Sequence, residues 1–303
     1  MVFYSCVNEQ VGVGRSYTEE YKSIILRECV FTRNSEFSDD GGVMKLFDCK
    51  LEVYDSAFYS CSSLKIGGAI YLYRGSAIIE KTCVSRCFAK NQHFAYLSAS
   101  GGEKLSMLSI FNTSFQTIGN TVIECQMGIQ VFSNNNLSRN YCEQIVGPKM
   151  NSMSSISFRF SLFENNVAKT GVVLYFISAS KGKTIDNNNF INNTSPSQGV
   201  VYSTHSDTEL TVYRCIFINN TGFVFCVGFG SMIVNECPVY HKTGWHSGKV
   251  TFANTLSTLE DPPIYSYYYS RICEIPVVSI NSTKNSVSKE SWMRFWVVFV
   301  YFQ

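Results

Sequence analysis

The chain is short of charge, of proline and of long apolar runs. Charged residues make up 16% of its 303 positions, against about 25% in an average soluble domain. The 25 basic and 23 acidic residues leave a formal net charge of +2, which gives no electrostatic case for nucleic-acid binding. No stretch of 18 or more apolar residues occurs, so no complete membrane-spanning helix is read from the sequence. The first residues, MVFYSCVNEQVGVG, lack both a basic segment and a continuous apolar one, and no secretory signal peptide is expected there. Helix-forming patterns are also missing. The chain carries 23 Asn and 39 Ser beside 23 Phe and 18 Tyr, a mixture of poor helix formers and strand formers.

What the chain does have is a repeat. A small or polar residue, any residue, an apolar anchor, two variable positions and then Asn or Cys recur as CVFTRN (29–34), SLFENN (161–166), NNFINN (188–193) and CIFINN (215–220). Variants put the anchors at Phe3, Phe31, Phe58, Val84, Phe115, Leu137, Phe163, Phe190, Phe217 and Val239, a mean step of about 26 residues. Between anchors lies a glycine followed by short apolar residues, as GGVM (41–44), GGAI (67–70), GVVL (171–174) and GVVY (199–202). Leading into the anchors are alternating apolar and polar stretches such as LEVYDSAF (51–58) and LTVYRCIF (210–217), the period-2 signature of strands with one buried face. A unit of this kind cannot bury its apolar face alone, so neighbours must stack. The expected fold is all-β, a right-handed parallel β-helix of about ten coils over residues 1–245. The hand follows the general preference of parallel crossovers. Anchors should point inward, Asn140 to Asn220 should form an internal ladder, and the glycines should sit at tight corners.

The two elements together resemble the repeats of the chlamydial-type polymorphic outer membrane proteins, F-x-x-N and G-G-A-[ILV]. F-x-x-N is matched at Phe31/Asn34, Phe163/Asn166, Phe190/Asn193 and Phe217/Asn220, and G-G-A-I at Gly67 to Ile70. Similar repeats occur in large surface-protein families of parasitic protists. The resemblance spans roughly residues 1–245. It implies a surface-exposed or secreted right-handed β-helix used in adhesion. The chain departs from the bacterial pattern in its start and in having no C-terminal region long enough for an outer-membrane barrel, so a protist-type surface protein fits better.

Candidate chemistry is sparse. Glycoside hydrolysis needs a carboxylate pair, and calcium-assisted lysis needs several acids. Of seven Asp, only Asp39, Asp40, Asp48 and Asp55 fall near one coil, and Asp39-Asp40-Gly41-Gly42 reads as a turn. His93, His205, His241 and His246 match no common zinc spacing, and neither a metal nor a cofactor is expected. Cys61 and Cys87 share one column in adjacent coils, as do Cys215 and Cys237. Each pair is a disulfide candidate or a pair of buried thiols, and both readings stand. Glycosylation candidates are Asn112, Asn136, Asn192, Asn219 and Asn281, while Asn193 falls in the expected ladder.

Residues 246–290, with three of the six prolines, read as a cap or stalk. Residues 291–303 read either as a truncated membrane anchor or as a strand closing the last coil. The function expected is non-enzymatic: a surface or extracellular protein that binds a host or cell-surface protein or glycan through a flat solenoid face, with membrane association through the C-terminal segment. The alternatives are a carbohydrate-active β-helix enzyme and a degenerate paralogue without ligand.

Overall fold

A computed structural model describes residues 2–255 apart from 6–9, 13–16, 37–38, 114–118, 153, 178–182, 205–208 and 239–247. The described residues are strands and turns without a helix, and every strand pairing among them is parallel because each coil repeats the one before it. Successive coils lay strands onto four stacks. Tyr17–Glu20, Gln92–Ser98, Thr121–Gln126, Ile145–Asn151 and Leu174–Ile177 belong to the first. Ser23–Arg27, Glu103–Ser106, Gln130–Ser133, Ile156–Arg159 and Lys183–Asp186 belong to the second. The long strands Met44–Tyr54 and Ile70–Glu80 run through both, joining them into one 18-stranded sheet. Among the described residues the third stack, from Gln10–Gly12 to Ile216–Ile218, has nine strands and so about eight turns, slightly fewer than the roughly ten coils expected. A fourth set of two-residue strands closes the section in sheets of three and four strands.

The anchor column lies on the inner side of the third stack. Phe31 stacks on Phe58 at 5.0 Å, Phe163 on Phe190 at 5.0 Å and Phe190 on Phe217 at 4.9 Å, with Val84 and Leu137 between them and all of them buried. Two anchors need correction. Val84 pairs with Ile110, and Ile110 with Leu137, so Ile110 and not Phe115 carries that coil. Phe3 pairs with Ile25 in the second stack, and Val11 holds the register position beside Phe31. Phenylalanine alone is a poor marker here, because any apolar residue of similar reach fills the column. Val239 lies outside the described residues.

Corners decide whether the coils can stack. Gly41 and Gly67 have φ of 69° and 65°, and a Cβ on either would lie 2.0 or 2.2 Å from the carbonyl oxygen of Met44 or Ile70. At the two corners flanking the third stack the bend is made by single left-handed residues that are not glycine. Between the second and third stacks these include Glu28, Asp55, Lys81, Phe160 and Arg214. After the third stack they are Arg33, Ser60, Arg86, Asn112, Arg139, Asn165, Asn192 and Asn219. Their N–H groups still point along the axis, as from Lys81 to the Ser106 carbonyl (3.1 Å) and from Asn165 to that of Ile191 (3.0 Å).

The residue after the second set of bends loses its axial backbone partner, and side chains supply it. Asn140 donates from its backbone N (3.0 Å) and from Nδ2 (3.1 Å) to Asn166 Oδ1. The pattern repeats from Asn166 to Asn193 (3.1 and 3.0 Å) and from Asn193 to Asn220 (2.9 and 3.0 Å). Each Nδ2 also reaches the anchor carbonyl of the preceding coil, as from Asn166 to Leu137 at 2.8 Å. The expected ladder is therefore present. A second column lies two residues before each anchor, where Asn135, Ser161, Asn188, Cys215 and Cys237 each accept a backbone N–H from the coil before, the last from Cys215 at 3.3 Å.

The repeat region extends past residue 245, because Lys249–Ala253 pairs with Ser231–Asn235 and adds a further strand to the second stack. The rest of 246–290, and all of 291–303, lie outside the described residues. Replacing Asn166 by Ala strands the Asn140 amide and the Leu137 carbonyl. A loss of about 1–3 kcal/mol is expected in urea unfolding, with a smaller loss for Asn166→Cys, whose thiol can still donate.

Candidate binding face

The outer side of the first stack carries one continuous column. Lys45, Tyr71, Tyr96, Glu124, Lys149, Tyr175 and Tyr202 are Cα partners in seven successive coils. They face outward because strand alternation turns Leu46, Leu72, Leu97 and Cys125 beside them into the core. Tyr71 stacks on Tyr96 with centroids 5.3 Å apart and planes 13° from parallel, and Tyr175 on Tyr202 at 4.9 Å and 15°. Phe47 packs its edge near Tyr71 and Tyr73 at 6.0 and 6.5 Å, and Tyr73 is 39% exposed. Between the two tyrosine pairs, Lys149 Nζ lies 2.7 Å from Glu124 Oε1. Glu124 also accepts from Gln92 Nε2 (2.6 Å) and Gln126 Nε2 (2.7 Å), and Tyr96 OH donates to Gln126 Oε1 (3.1 Å).

This geometry limits what the face can do. Rings that stack along the axis spend their faces on one another, leaving edges and hydroxyls for a partner. Burial, then the nearby Asp40 carboxylate, pushes Tyr71 up to about 12, and burial, then Tyr202, does the same for Tyr175. Both phenols therefore stay protonated donors at neutral pH.

Two of the four acids considered for catalysis, Asp39 and Asp48, are engaged as ion pairs, whereas Asp40 has a buried Oδ1 without a hydrogen-bond partner and burial pushes its carboxyl up. Asp39 pairs with Lys45 and with Lys65 (3.7 Å), and the Lys45 hydrogen bond holds its carboxyl below the usual range. Asp48 lies 2.6 Å from Arg74, and Asp55 is a left-handed corner residue. No group of three His, Cys, Asp or Glu suited to a metal occurs among the described residues. His93 is not a surface histidine. It is buried, its Nδ1 accepts from the Ala89 amide at 3.2 Å, and burial pushes it down to about 4. His205, His241 and His246 lie outside the described residues.

Cys61, Cys87, Cys215 and Cys237 are buried free thiols, the second of the two readings open for them from the sequence. Each Sγ points to the carbonyl that an asparagine amide reaches at other levels of its column. Cys61 faces the Phe31 carbonyl (3.6 Å), Cys87 that of Phe58 (3.5 Å), Cys215 that of Ile185 (3.6 Å) and Cys237 that of Val212 (3.5 Å). In-register side chains lie parallel at the strand spacing of about 4.8 Å, too far between Cβ atoms for a relaxed disulfide. Cys83 is disulfide-bonded. Among the sequons, Asn192 and Asn219 are exposed at equivalent corners, Asn112 and Asn136 are half-buried, Asn193 is buried in the ladder, and Asn281 lies outside the described residues.

An interior acid also escaped the sequence reading. Glu103 is 2% exposed at the start of the second stack, where its Oε1 accepts from the Ala99 amide at 3.1 Å and caps the loop between the stacks. In the next coil its Cα partner Gln130 does the same task, donating from Nε2 to the Met127 and Asn151 carbonyls. Burial pushes Glu103 up to about 9. Among the described residues its Oε2 and Gln130 Oε1 have no hydrogen-bond partner, and a protonated carboxyl supplies the missing donor.

The chain matches no family model, no curated protein and no solved structure.

Because the native state holds the Glu103 proton, its contribution is complete below the ordinary carboxyl range and is lost as pH rises toward about 9. His93 acts oppositely, weakening the fold as pH falls from about 6.5 toward about 4. Stability should therefore fall between pH 6.5 and 8.5 by up to about 1.4 kcal/mol per unit. Glu103→Gln should flatten that slope and exceed the parent at pH 8.5 in urea unfolding.

Proposed function

We infer that the protein is a non-enzymatic surface or secreted β-solenoid that binds a protein or glycan partner through the outer side of its first stack. The observation that carries this reading is the row of half-buried tyrosines, aligned over consecutive coils and interrupted by one satisfied ion pair. Aromatic residues with a polar tip are the side chains most enriched at recognition surfaces. A rigid row of them lowers the ordering cost of binding. The alternation of F-x-x-N with G-G-A-I supports the same reading. A carbohydrate-active enzyme would place an unpaired carboxylate pair on one face, and Asp39 and Asp48 are instead held by cations.

Two measurements test this. An epitope tag inserted near residue 181 should be reached by antibody and protease on intact source cells. Detection only after permeabilisation would overturn the surface assignment. The purified chain should bind within a panel of immobilised glycans and cell-surface proteins. Tyr96→Ala with Tyr202→Ala should weaken that binding at least tenfold while leaving the circular dichroism spectrum unchanged.

A further inference from the structure

The two ridges of left-handed corner residues differ in charge. The ridge between the second and third stacks mixes signs, with Glu28, Asp55 and Lys81, and with Arg214 paired to Glu236 at 2.9 Å. The ridge after the third stack has no acid at any of its eight levels. Its charged members are Arg33, Arg86 and Arg139, with Ser60 and Asn112 between them. All three arginines are exposed. None takes part in an ion pair or side-chain hydrogen bond among the described residues. Arg27 by contrast lies over Tyr54, Arg74 pairs with Asp48 and Arg159 lies over Phe160. The nearest acids in sequence are Glu36, three residues beyond Arg33, and Glu164, immediately before Asn165.

Register makes this a line. Thr32, Tyr59, Ser85, Phe111 and Ser138, which immediately precede the ridge residues, are consecutive Cα partners. The three guanidinium groups therefore stand on alternate coils, about 9–10 Å apart at the spacing of parallel strands. Every position between Arg33 and Arg139 carries a hydrogen-bond donor.

We propose that the Arg33–Arg86–Arg139 ridge is a docking line for a linear sulfated polysaccharide. An extended polysaccharide with one sulfate per disaccharide carries its charges at about the interval of these arginines, and guanidinium groups suit sulfate oxygens through paired donors. The serine and asparagine between them suit sugar hydroxyls. Duplex DNA presents charge far more densely, about one per 1.7 Å of axis. An anionic membrane calls for clusters of roughly four to eight cations. Three separated arginines match neither. The proposal does not rest on the tyrosine face.

The test uses the full chain and immobilised heparin. The parent should be retained at 0.15 M NaCl, and its logarithmic salt slope should fall by about one for each arginine replaced. The triple variant Arg33→Asn, Arg86→Asn and Arg139→Asn should bind at least tenfold more weakly. Asparagine already holds four positions of this ridge in the same backbone conformation, so an unchanged unfolding midpoint is expected. Arg214→Asn, on the other ridge, should leave retention unaltered. Failure of the parent to bind, equal binding by the triple variant, or equal binding to desulfated heparin would each overturn the proposal. So would binding of single-stranded DNA or phosphatidylserine vesicles as strong as heparin binding and equally sensitive to the three substitutions.

Discussion

Everything in this solenoid depends on keeping the backbone hydrogen bond parallel to the axis while the chain turns a corner. A strand satisfies that condition by itself. A corner does not, and a buried amide left without a partner costs as much as a large side-chain truncation. The left-handed residues at Lys81 and Asn165 solve it by redirecting the chain sharply in one step while their own N–H still meets the next coil. Where the residue after the bend cannot do so, a side chain takes over. That is why Asn140, Asn166 and Asn193 are buried although asparagine is ordinarily a surface residue.

The same requirement explains the cysteines. Asparagine and cysteine look unrelated in sequence, yet they alternate in two columns because both are small enough for the corner and both can donate to the carbonyl of the coil before. The thiol donates weakly but removes no apolar volume from the core. Burial pushes Cys61 and Cys215 well up, whereas the hydrogen bond from Cys215 pulls Cys237 down. Cys83 is different in kind. It sits on the outer side of the third stack, with Ala57 and Tyr59 in a second apolar cluster.

Because coils stack in register, any outward position becomes a row with a fixed repeat. The tyrosine row and the arginine row are both products of this rule, and they differ in what they leave free. Stacked phenols present edges and hydroxyls on one side. Isolated guanidinium groups present full donor sets on a corner.

The repeat period, the strand alternation and the asparagine ladder were legible in the sequence because each repeats a residue type at a fixed interval, and together they determined a parallel β-helix. Column membership was legible only where the residue type was unusual for its place. Phe163, Phe190 and Phe217 announced themselves, whereas Ile110 and Val11 did not, since register and not residue type puts them there. The corner arginines were invisible for the same reason, as arginine has no preference for left-handed backbone. Glu103 was equally hidden, because only the tertiary structure removes its water. Burial and the axial alignment of distant residues are properties of the stacked coils, and no single coil contains them.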